Sequence, residues 1–349
     1  MNDLAIAVGI GIDKSGEQYR ISVQVADPGE VATRKGTSGR TPVVMYQETG
    51  NTVLEAIRRM NAVAPRKIYF SHLRIAVIGE ELAKEGISKT LDFLSRDQEL
   101  RSDFYLVVAK ETSAENVLKI LASLEKLPAT KMFNSLETSE KAWAPTVSIT
   151  LDKLISDLVS EVKGPVLTGI KVKGEQKTGE RKENVERIDS PAQLQYSGIA
   201  IFKKDKLVGW LNEQESKGYS NFTDKLDSTV IEVPCLKGGK LGVEVIRSET
   251  KVKGKVANGK PKVDVMIRTE ADVAEVACHI DLSKSQTIYD LETEVEKAIK
   301  GQCESSVKKA KKLKIDIFGF GEAIHRADPK AWKKIKKDGI RNWLICRYR

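Results

Sequence analysis

The first two segments of the chain alternate between apolar and polar or small positions, which predicts two strands. On one face of the first strand lie Leu4, Ile6, Val8, Ile10 and Ile12, and on the other lie Ala5, Ala7, Gly9 and Gly11. Because the second face is so small, a neighbour can approach closely, and we expect this strand to be covered on both sides. The second strand, Tyr19 to Val25, places polar residues between apolar ones and predicts one solvent-exposed face.

Strands and helices continue to alternate as far as Ala109. Apolar residues at strand or helix spacing predict, in order, a strand from Val43 to Tyr46, a helix from Val53 to Ala64, a strand from Leu73 to Val77, a helix from Ile87 to Leu94 and a strand from Phe104 to Ala109. This order predicts a mixed sheet with helices packed on it.

The middle of the chain is predicted to be mostly helical. The spacing Thr112-x-x-Glu115 is typical of a capping box and predicts a helix that runs through Leu124. A helix from Val147 to Val162 and a strand from Gly164 to Val172 follow. The next segment, Lys173 to Ser190, is so rich in charge that it cannot bury enough apolar surface to offset its ordering entropy. We therefore expect a mobile charged loop there.

The last part of the chain separates its strands from its helices. The pattern predicts a hairpin from Gln195 to Leu211, long strands from Leu241 to Val256 and from Lys262 to Val276, and an amphipathic helix from Ile288 to Leu313. Asn258-Gly259 is a strong signal for a turn between the two long strands. The segregation of strands from helices indicates an α+β domain.

These elements predict an α+β, multidomain chain with mixed β-sheets and packed helices. An N-terminal α/β-type region is followed by a C-terminal antiparallel sheet with a long helix. We expect three parts: an N-terminal mixed-sheet domain at residues 1–110, a helical middle region at 111–190 with a return strand and the charged loop, and a C-terminal α+β domain at 191–349.

Composition is that of a soluble globular chain of 349 residues, with 40% hydrophobic and 31% charged residues. The longest apolar run, Leu4 to Ile12, has only nine residues, whereas a bilayer span needs about 20. No secretory signal precedes the first strand. We therefore expect no segment that crosses a membrane.

The excess positive charge lies at the C-terminal end. Residues 299–349 contain fifteen Lys and Arg against five Asp and Glu, whereas the remaining residues are nearly neutral. Three interpretations stay open: attraction to anionic lipid head groups, nucleic-acid binding, and a solvated face of two helices. The absence of interleaved aromatic residues disfavours nucleic acid.

The sequence shows no motif for catalysis or for a cofactor, and we predict no enzyme activity and no cofactor. Cys235, Cys278, Cys303 and Cys346 lack metal-ligand spacing, and we expect dispersed, buried thiols rather than a zinc site, with disulfides as the alternative. The three histidines stand apart, and His325 is expected on the surface. We also expect Asp152, Asp157 and Glu161 to be exposed charges on one helix. For Trp210, Trp332 and Trp343, packing in the core is favoured over a pocket or an interface.

The run from Asp316 to Lys337 has the most distinctive pattern of the chain. Asp316-Ile317-Phe318-Gly319-Phe320-Gly321 reads as an extended, glycine-hinged segment, and Pro329 lies close to the start of a short helix that carries Trp332. The hairpin, the long helix, the D-x-F-G-F-G turn and the P-x-x-W spacing follow one another in this order. No reaction requires that combination of residues.

These features together resemble the C-terminal domain of the Ger(x)C family of spore germination lipoproteins, the C subunits of nutrient germinant receptors in endospore-forming bacteria. The segments Leu4 to Asp13 and His72 to Arg101 are similar to the N-terminal region of that family. The resemblance therefore covers nearly the whole chain.

The resemblance implies a non-enzymatic subunit that acts by protein–protein contact at the outer face of the spore inner membrane. Its partners would be the integral-membrane A and B subunits, and nucleic acid is not expected. The family normally carries an N-terminal signal that ends in a lipid-modified cysteine. We interpret Met1 as the start of a form without that signal.

Motif matches make Asp316, Gly319, Gly321 and Trp332 the candidate interaction residues, although all four have a structural interpretation as well. The alternative function is a basic module that binds a membrane surface or nucleic acid. A hydrolase whose site forms only in three dimensions is a further class that the sequence leaves open.

Overall fold

The computed structural model describes residues 4–32, 41–235, 238–257 and 260–335. The predicted turn at Asn258-Gly259, Trp343 and Cys346 lie outside the described residues. The chain forms two compact units. The first comprises Met1–Glu137, Ser148–Val159 and Pro165–Val208, and the second comprises Thr138–Val147, Ser160–Gly164 and Gly209–Arg349. The three-part division at 1–110, 111–190 and 191–349 stays a prediction.

Strands and helices alternate through the first part of the chain. The elements are β1 (Leu4–Ser15), β2 (Gln18–Ala26), α1 (Pro28–Ala32), β3 (Val43–Gly50), α2 (Val53–Met60), β4 (Lys67–Tyr69), β5 (Ile75–Gly79), α3 (Glu80–Glu85), α4 (Ser88–Arg96), β6 (Tyr105–Ala109), α5 (Ala114–Lys119), α6 (Pro128–Ala142), α7 (Leu151–Val159), β7 (Val166–Gly174), α8 (Gln176–Gly179), α9 (Glu183–Glu186), β8 (Ala192–Lys203) and β9 (Lys206–Leu211).

The first sheet is mixed, as the sequence predicts. Its order is β3-β2-β1-β5-β6-β7-β8-β9, and β4 also pairs with β1. The central strands β1, β5, β6 and β7 run parallel, whereas β2 and β3 on one side and β8 on the other are antiparallel to their neighbours. Parallel central strands are buried on both faces, which accounts for their continuous apolar runs.

Strand β1 is covered on both sides, and this confirms the prediction from its small second face. A Cβ atom at Gly11 would lie 2.9 Å from Leu118 Cδ1, and a Cβ atom at Gly9 would lie 3.1 Å from Ala129 Cβ. Glycine at these positions therefore lets the segments that carry Ala114, Leu118 and Ala129 pack directly on the strand.

Strand β2 does not have the solvent-exposed face that its alternation predicts. Ser22 and Gln24 are buried, Gln24 with only 1% of its surface exposed. The Gln24 amide donates to the Leu118 carbonyl at 2.7 Å and accepts from the Ala129 N–H at 3.1 Å. Because these bonds replace the ones that water would make, polar side chains are stable in the interior here.

One prediction for the middle of the chain is also wrong. The residue that caps α5 is Ser113, whose hydroxyl accepts from the Asn116 N–H at 3.1 Å, and the helix ends at Lys119 rather than Leu124. The charged segment Lys173 to Ser190 contains two short helices, α8 and α9, and its mobility stays a prediction. Asn184 is buried there, donates to the Leu121 carbonyl and accepts from the Ala192 N–H, both at 2.8 Å. Polar bonds thus hold part of a segment that has few apolar residues.

The second unit contains the long strands and the long helix that the sequence predicts. Its elements are α10 (Glu213–Phe222), β10 (Thr229–Pro234), β11 (Lys240–Ala257), β12 (Lys260–Ala277), α11 (Ser285–Leu313), α12 (Phe320–Ala327) and α13 (Pro329–Ile335). The strands form an antiparallel sheet in the order β10-β11-β12. Leu291 of α11 packs with Val243 and Val245 of β11 in a shared core, so the α+β assignment is confirmed.

Cys235 and Cys278 form a disulfide, and the expectation of dispersed thiols is wrong for this pair. Pro234 pairs with Lys240, and Lys240 pairs with Ala277. The two cysteines therefore follow the ends of β10 and β12, the strands on either side of β11, with their Cα atoms 6.6 Å apart. Cys303 is a buried thiol, as expected.

The predicted row of exposed acids also needs correction. Asp152 and Glu161 are exposed, but Asp157 is buried and pairs with Lys153 at 2.9 Å. Glu161 lies beyond the end of α7. None of the helices in the described part of the chain combines the length and apolarity that a bilayer span requires.

Candidate interaction site

Asp316 is the centre of the turn between α11 and α12. The helix α11 ends at Leu313, and Lys314 adopts the left-handed conformation that reverses the chain. The Asp316 side chain is 2% exposed. Its Oδ1 accepts the N–H groups of Phe318 and Gly319, each at 2.9 Å, and its Oδ2 accepts the Gly321 N–H at 2.7 Å. This carboxyl group therefore satisfies two N–H groups of the turn and, at Gly321, one of the first free N–H groups of α12.

Gly319 and Gly321 are required for different structural reasons. Gly319 is the N-cap of α12 and has φ 80°, a left-handed conformation that most residues avoid. At Gly321 a Cβ atom would lie 2.3 Å from Val162 Cγ1 and 2.8 Å from Trp332 Cη2. The glycine hinge is confirmed, but the helix that begins at Phe320 was not predicted, because an aspartate four residues earlier is an unusual signal for a helix start.

The turn also contacts the short segment 160–164 of the same unit. The Gly164 N–H donates to the Asp316 carbonyl at 2.6 Å. Phe318 and Phe320 stack at 4.9 Å between ring centroids, and Phe222 of α10 meets both rings edge-on, at 4.9 and 5.2 Å. Such aromatic contacts fix the turn in the core of the second unit.

Burial raises the pKa of Asp316 to about 7, although the four backbone N–H groups around it act in the opposite direction. Removal from water penalises the charged form of a carboxyl group, whereas hydrogen bonds to that form favour it. The Asp316 carboxyl is therefore neutral below about pH 7 and is surrounded by backbone N–H groups.

Trp332 lies beside this turn on α13 and is half-buried. Asp328 caps the helix, since its Oδ1 accepts the Ala331 N–H at 2.9 Å. The Trp332 ring lies 6.2 Å from the ring of His325, which is exposed on α12 as expected. The structure thus brings Asp316, Gly319, Gly321 and Trp332 into one cluster, while their role in an interaction stays a prediction.

A second buried carboxyl group, which the sequence did not single out, has a similar position in the first unit. Asp13 accepts the Ala114 N–H at 2.8 Å and the Glu115 N–H at 2.9 Å, at the start of α5. Burial raises the pKa of Asp13 as well. The only local signal was an aspartate directly after the apolar run Leu4 to Ile12, which is common in proteins.

A groove of the first unit has charges that compensate one another. It has a volume of about 960 Å³ and is lined by residues of α2 and α4. On its rim Lys14 pairs with Glu85, Arg96 with Asp92, and Lys67 with Glu99. In the part of the chain that the structure covers, no three His, Cys, Asp or Glu side chains are grouped to hold a metal ion.

Comparison with known proteins agrees with the resemblance drawn from the motifs. Residues 1–172 match a family model described as "Spore germination protein N-terminal domain", and residues 197–346 match one described as "Spore germination B3/ GerAC like, C-terminal". Spore germination protein KC of Bacillus subtilis (strain 168) is 34% identical over 351 residues, which cover 99% of this chain and 86% of the relative. Spore germination protein B3 of the same organism is 24% identical over 343 residues, or 96% and 86% of the two chains.

A solved structure shows the same fold. The crystal structure of the GerBC protein superposes with a TM-score of 0.57 at 20% sequence identity, over 97% of this chain and 94% of that one. Because the two family models together span most of the sequence, and the identity to protein KC extends over nearly all of it, this chain belongs to the GerAC-like family of spore germination proteins.

Proposed function

We propose that this protein is a non-enzymatic subunit of a spore nutrient germinant receptor and acts through protein–protein contact. The observation that carries the proposal is the match of both family models, one after the other, along the chain. Its partners are the integral-membrane A and B subunits. It supports the signal that starts germination.

The geometry of the candidate site supports contact rather than chemistry. The Asp316 carboxyl group is enclosed and accepts three backbone N–H groups, so it offers no accessible acid or base. Asp316, Gly319 and Gly321 act by positioning α12 and α13. Trp332 and His325, next to each other on those helices, then present the contact surface.

The disulfide supports a location on the outer face of the spore inner membrane, held by an N-terminal lipid. Disulfides persist in oxidising compartments and are rare in the reducing cytosol. The Cys235–Cys278 bond is therefore expected of a domain that has been exported.

Co-purification tests the proposal. The lipidated full-length protein is expressed with the two multi-span membrane subunits, extracted in detergent and captured by its own tag. Both membrane subunits should co-purify. Their absence from the eluate, although they accumulate in the membrane, would contradict the proposal, as would normal germination on every nutrient by spores that lack the protein.

A matched pair of variants tests the contact surface. Trp332→Ala should weaken recovery of the membrane subunits by roughly tenfold, since buried tryptophans dominate binding energies at interfaces. Tyr289→Ala, a truncation of a ring that is 62% exposed on α11, should leave recovery unchanged. Equal recovery with both variants, at unchanged melting temperature, would exclude Trp332 from the contact.

A further inference from the structure

The C-terminal helices of the second unit carry a strongly basic surface. Between residues 308 and 334 the chain has nine Lys and Arg but only three Asp and Glu. Lys308, Lys311 and Lys312 are exposed and lie at i, i+3 and i+4 on one face of α11. Lys330, Lys333 and Lys334 are exposed and repeat this spacing on α13. We call these six lysines the basic surface.

The three acidic side chains in this stretch all make contacts with groups other than these lysines. Asp316 is buried in its turn. The Glu322 carboxylate contacts the Ser160 hydroxyl at 3.4 Å, and Asp328 caps α13. Within the described residues, no ion pair joins any of the six lysines to an acid. The part of the chain that the structure describes therefore does not neutralise their charge.

Helical cations in other parts of this chain are arranged differently. Arg59 pairs with Glu55, Lys84 with Glu80, and Lys300 with Glu304, each one turn away on the same helix. Like charges at these spacings destabilise a helix, whereas opposite charges stabilise it. The basic surface thus differs from these three pairs, because its lysines stand beside other lysines on the same helix face, at a cost in stability.

The helix dipole explains the lysines at the end of α11 but not Lys330 of α13. Cations in the last turn of α11 are favourable because the C-terminal end of a helix is partly negative. Lys330, in contrast, lies in the first turn of α13, where a cation is unfavourable. An external anionic partner would offset the repulsion in both helices.

The three lysines of α11 and the three lysines of α13 belong to adjoining parts of one unit. Only six residues, 314–319, separate α11 from α12, and an extended chain of that length spans about 21 Å. Helix α12 then adds about 12 Å before α13 begins. A single extended anionic surface can therefore span the distance between the two groups of lysines.

We propose that the basic surface docks on a bilayer that contains anionic phospholipids, and that it orients the second unit on the membrane. This inference rests on the membrane location in the proposed function. Trp332 is the aromatic residue that stands among these lysines and it is half-buried, whereas base stacking along a strand uses several exposed rings, and the disulfide indicates an oxidising compartment. Both observations favour a lipid surface over nucleic acid.

Vesicle flotation of the full 349-residue chain tests the proposal without any receptor subunit. The vesicles consist of phosphatidylcholine alone or of equal parts phosphatidylcholine and phosphatidylglycerol. We expect binding only to the anionic vesicles, and its loss at roughly 0.5 M NaCl, where charges are screened beyond about 3–5 Å. No binding to the anionic vesicles at low salt would overturn the proposal.

Two variants, each with six lysines replaced, have the same net charge and differ only in where the charge was removed. They show whether binding depends on the basic surface or on net charge alone. Substitution of Lys308, Lys311, Lys312, Lys330, Lys333 and Lys334 by Gln should weaken partition into anionic vesicles by at least about tenfold. The control replaces Lys240, Lys251, Lys255, Lys262, Lys284 and Lys297 by Gln, exposed lysines of the same unit, and should change partition by less than about twofold. Equal losses would overturn the proposal.

A parallel binding experiment with duplex DNA tests whether the basic surface binds nucleic acid instead of lipid. Binding of DNA tighter than binding of anionic vesicles, lost in the first variant and kept in the control, would replace the lipid proposal by a nucleic-acid one. Because the assay contains no A or B subunit, a failure here leaves the co-purification result unaffected, and the two proposals fail separately.

Discussion

Two buried aspartates each bind backbone N–H groups at the start of a helix. Asp13 binds two N–H groups of α5, and Asp316 binds three N–H groups around the start of α12. The partial positive charge of a helix N-terminus favours a carboxylate, whereas burial disfavours it. In both cases burial prevails, since the pKa of each carboxyl group is raised.

Asp316→Asn should destabilise the protein by about 1–3 kcal/mol. The amide keeps one acceptor oxygen, but its NH2 group cannot accept the Gly321 N–H that Oδ2 binds at 2.7 Å. A buried donor is then left without a partner. Urea unfolding followed by circular dichroism measures the difference, and Asp272→Asn, on the exposed part of β12, is the control.

The same variant carries a pH signature. Because the pKa of Asp316 rises from 3.8 to about 7 on folding, the native state holds a proton that the unfolded chain has lost between these values. The stabilisation is fully present below about pH 4 and is lost as the pH rises through 7. The stability advantage of the wild type over Asp316→Asn should therefore shrink from pH 4 to pH 8. An advantage that grows with pH would show that the backbone N–H groups prevail over burial.

At the scale of elements, α10 and α11 approach each other unusually closely. A Cβ atom at Gly218 of α10 would lie 2.3 Å from the Gln302 carbonyl oxygen of α11. Ser216, Ser220, Cys303 and Ser306 are buried on these two helices. Small residues thus allow backbone-to-backbone packing, and the position of α11 against the sheet depends on it.

Two glycine-to-alanine changes on these helices should have opposite effects. Gly218→Ala should destabilise the second unit by about 1–3 kcal/mol, because the helix backbone cannot move aside. Gly301→Ala, within α11, meets no atom within 4 Å and should stabilise the protein by up to about 1 kcal/mol through its helix propensity. Melting temperatures of the two variants provide the comparison. A loss of stability in both would indicate that propensity does not act at Gly301.

At the scale of the whole molecule, the disulfide and the uneven charge distribution arise in different ways. The Cys235–Cys278 bond joins residues with a sequence separation of 43 and closes a loop that includes β11 and β12. The excess positive charge, in contrast, lies in one continuous stretch and could be read from the sequence alone. Only the disulfide depends on segments far apart in the sequence.

Reduction of this disulfide should lower the free energy of unfolding by about 2–4 kcal/mol, because the cross-link restricts the unfolded chain. The double variant Cys235→Ser, Cys278→Ser should show the same loss and no further response to dithiothreitol. Peptide mapping without reductant should recover Cys235 and Cys278 in one linked pair. Two separate, alkylated peptides from the native protein would contradict the assignment.

The sequence alone determined the regular elements and their class. Alternation in β1 and in the long strands β11 and β12, and the helical spacing in α11, arise because each element buries one side against a core. The order of these elements then restricts the architecture to mixed and antiparallel sheets with helices. The glycines of the Asp316 turn were also recognisable, as residues that a tight backbone requires.

The tertiary structure alone decided which polar residues lie inside. Gln24 binds the Leu118 carbonyl 94 residues away, and Asn184 binds Leu121. The partners that make such burial stable are distant along the chain, so local hydrophobicity predicts exposure instead. For the same reason the Cys235–Cys278 pairing and the cluster of Asp316 with Trp332 emerged only when the fold had placed their segments side by side.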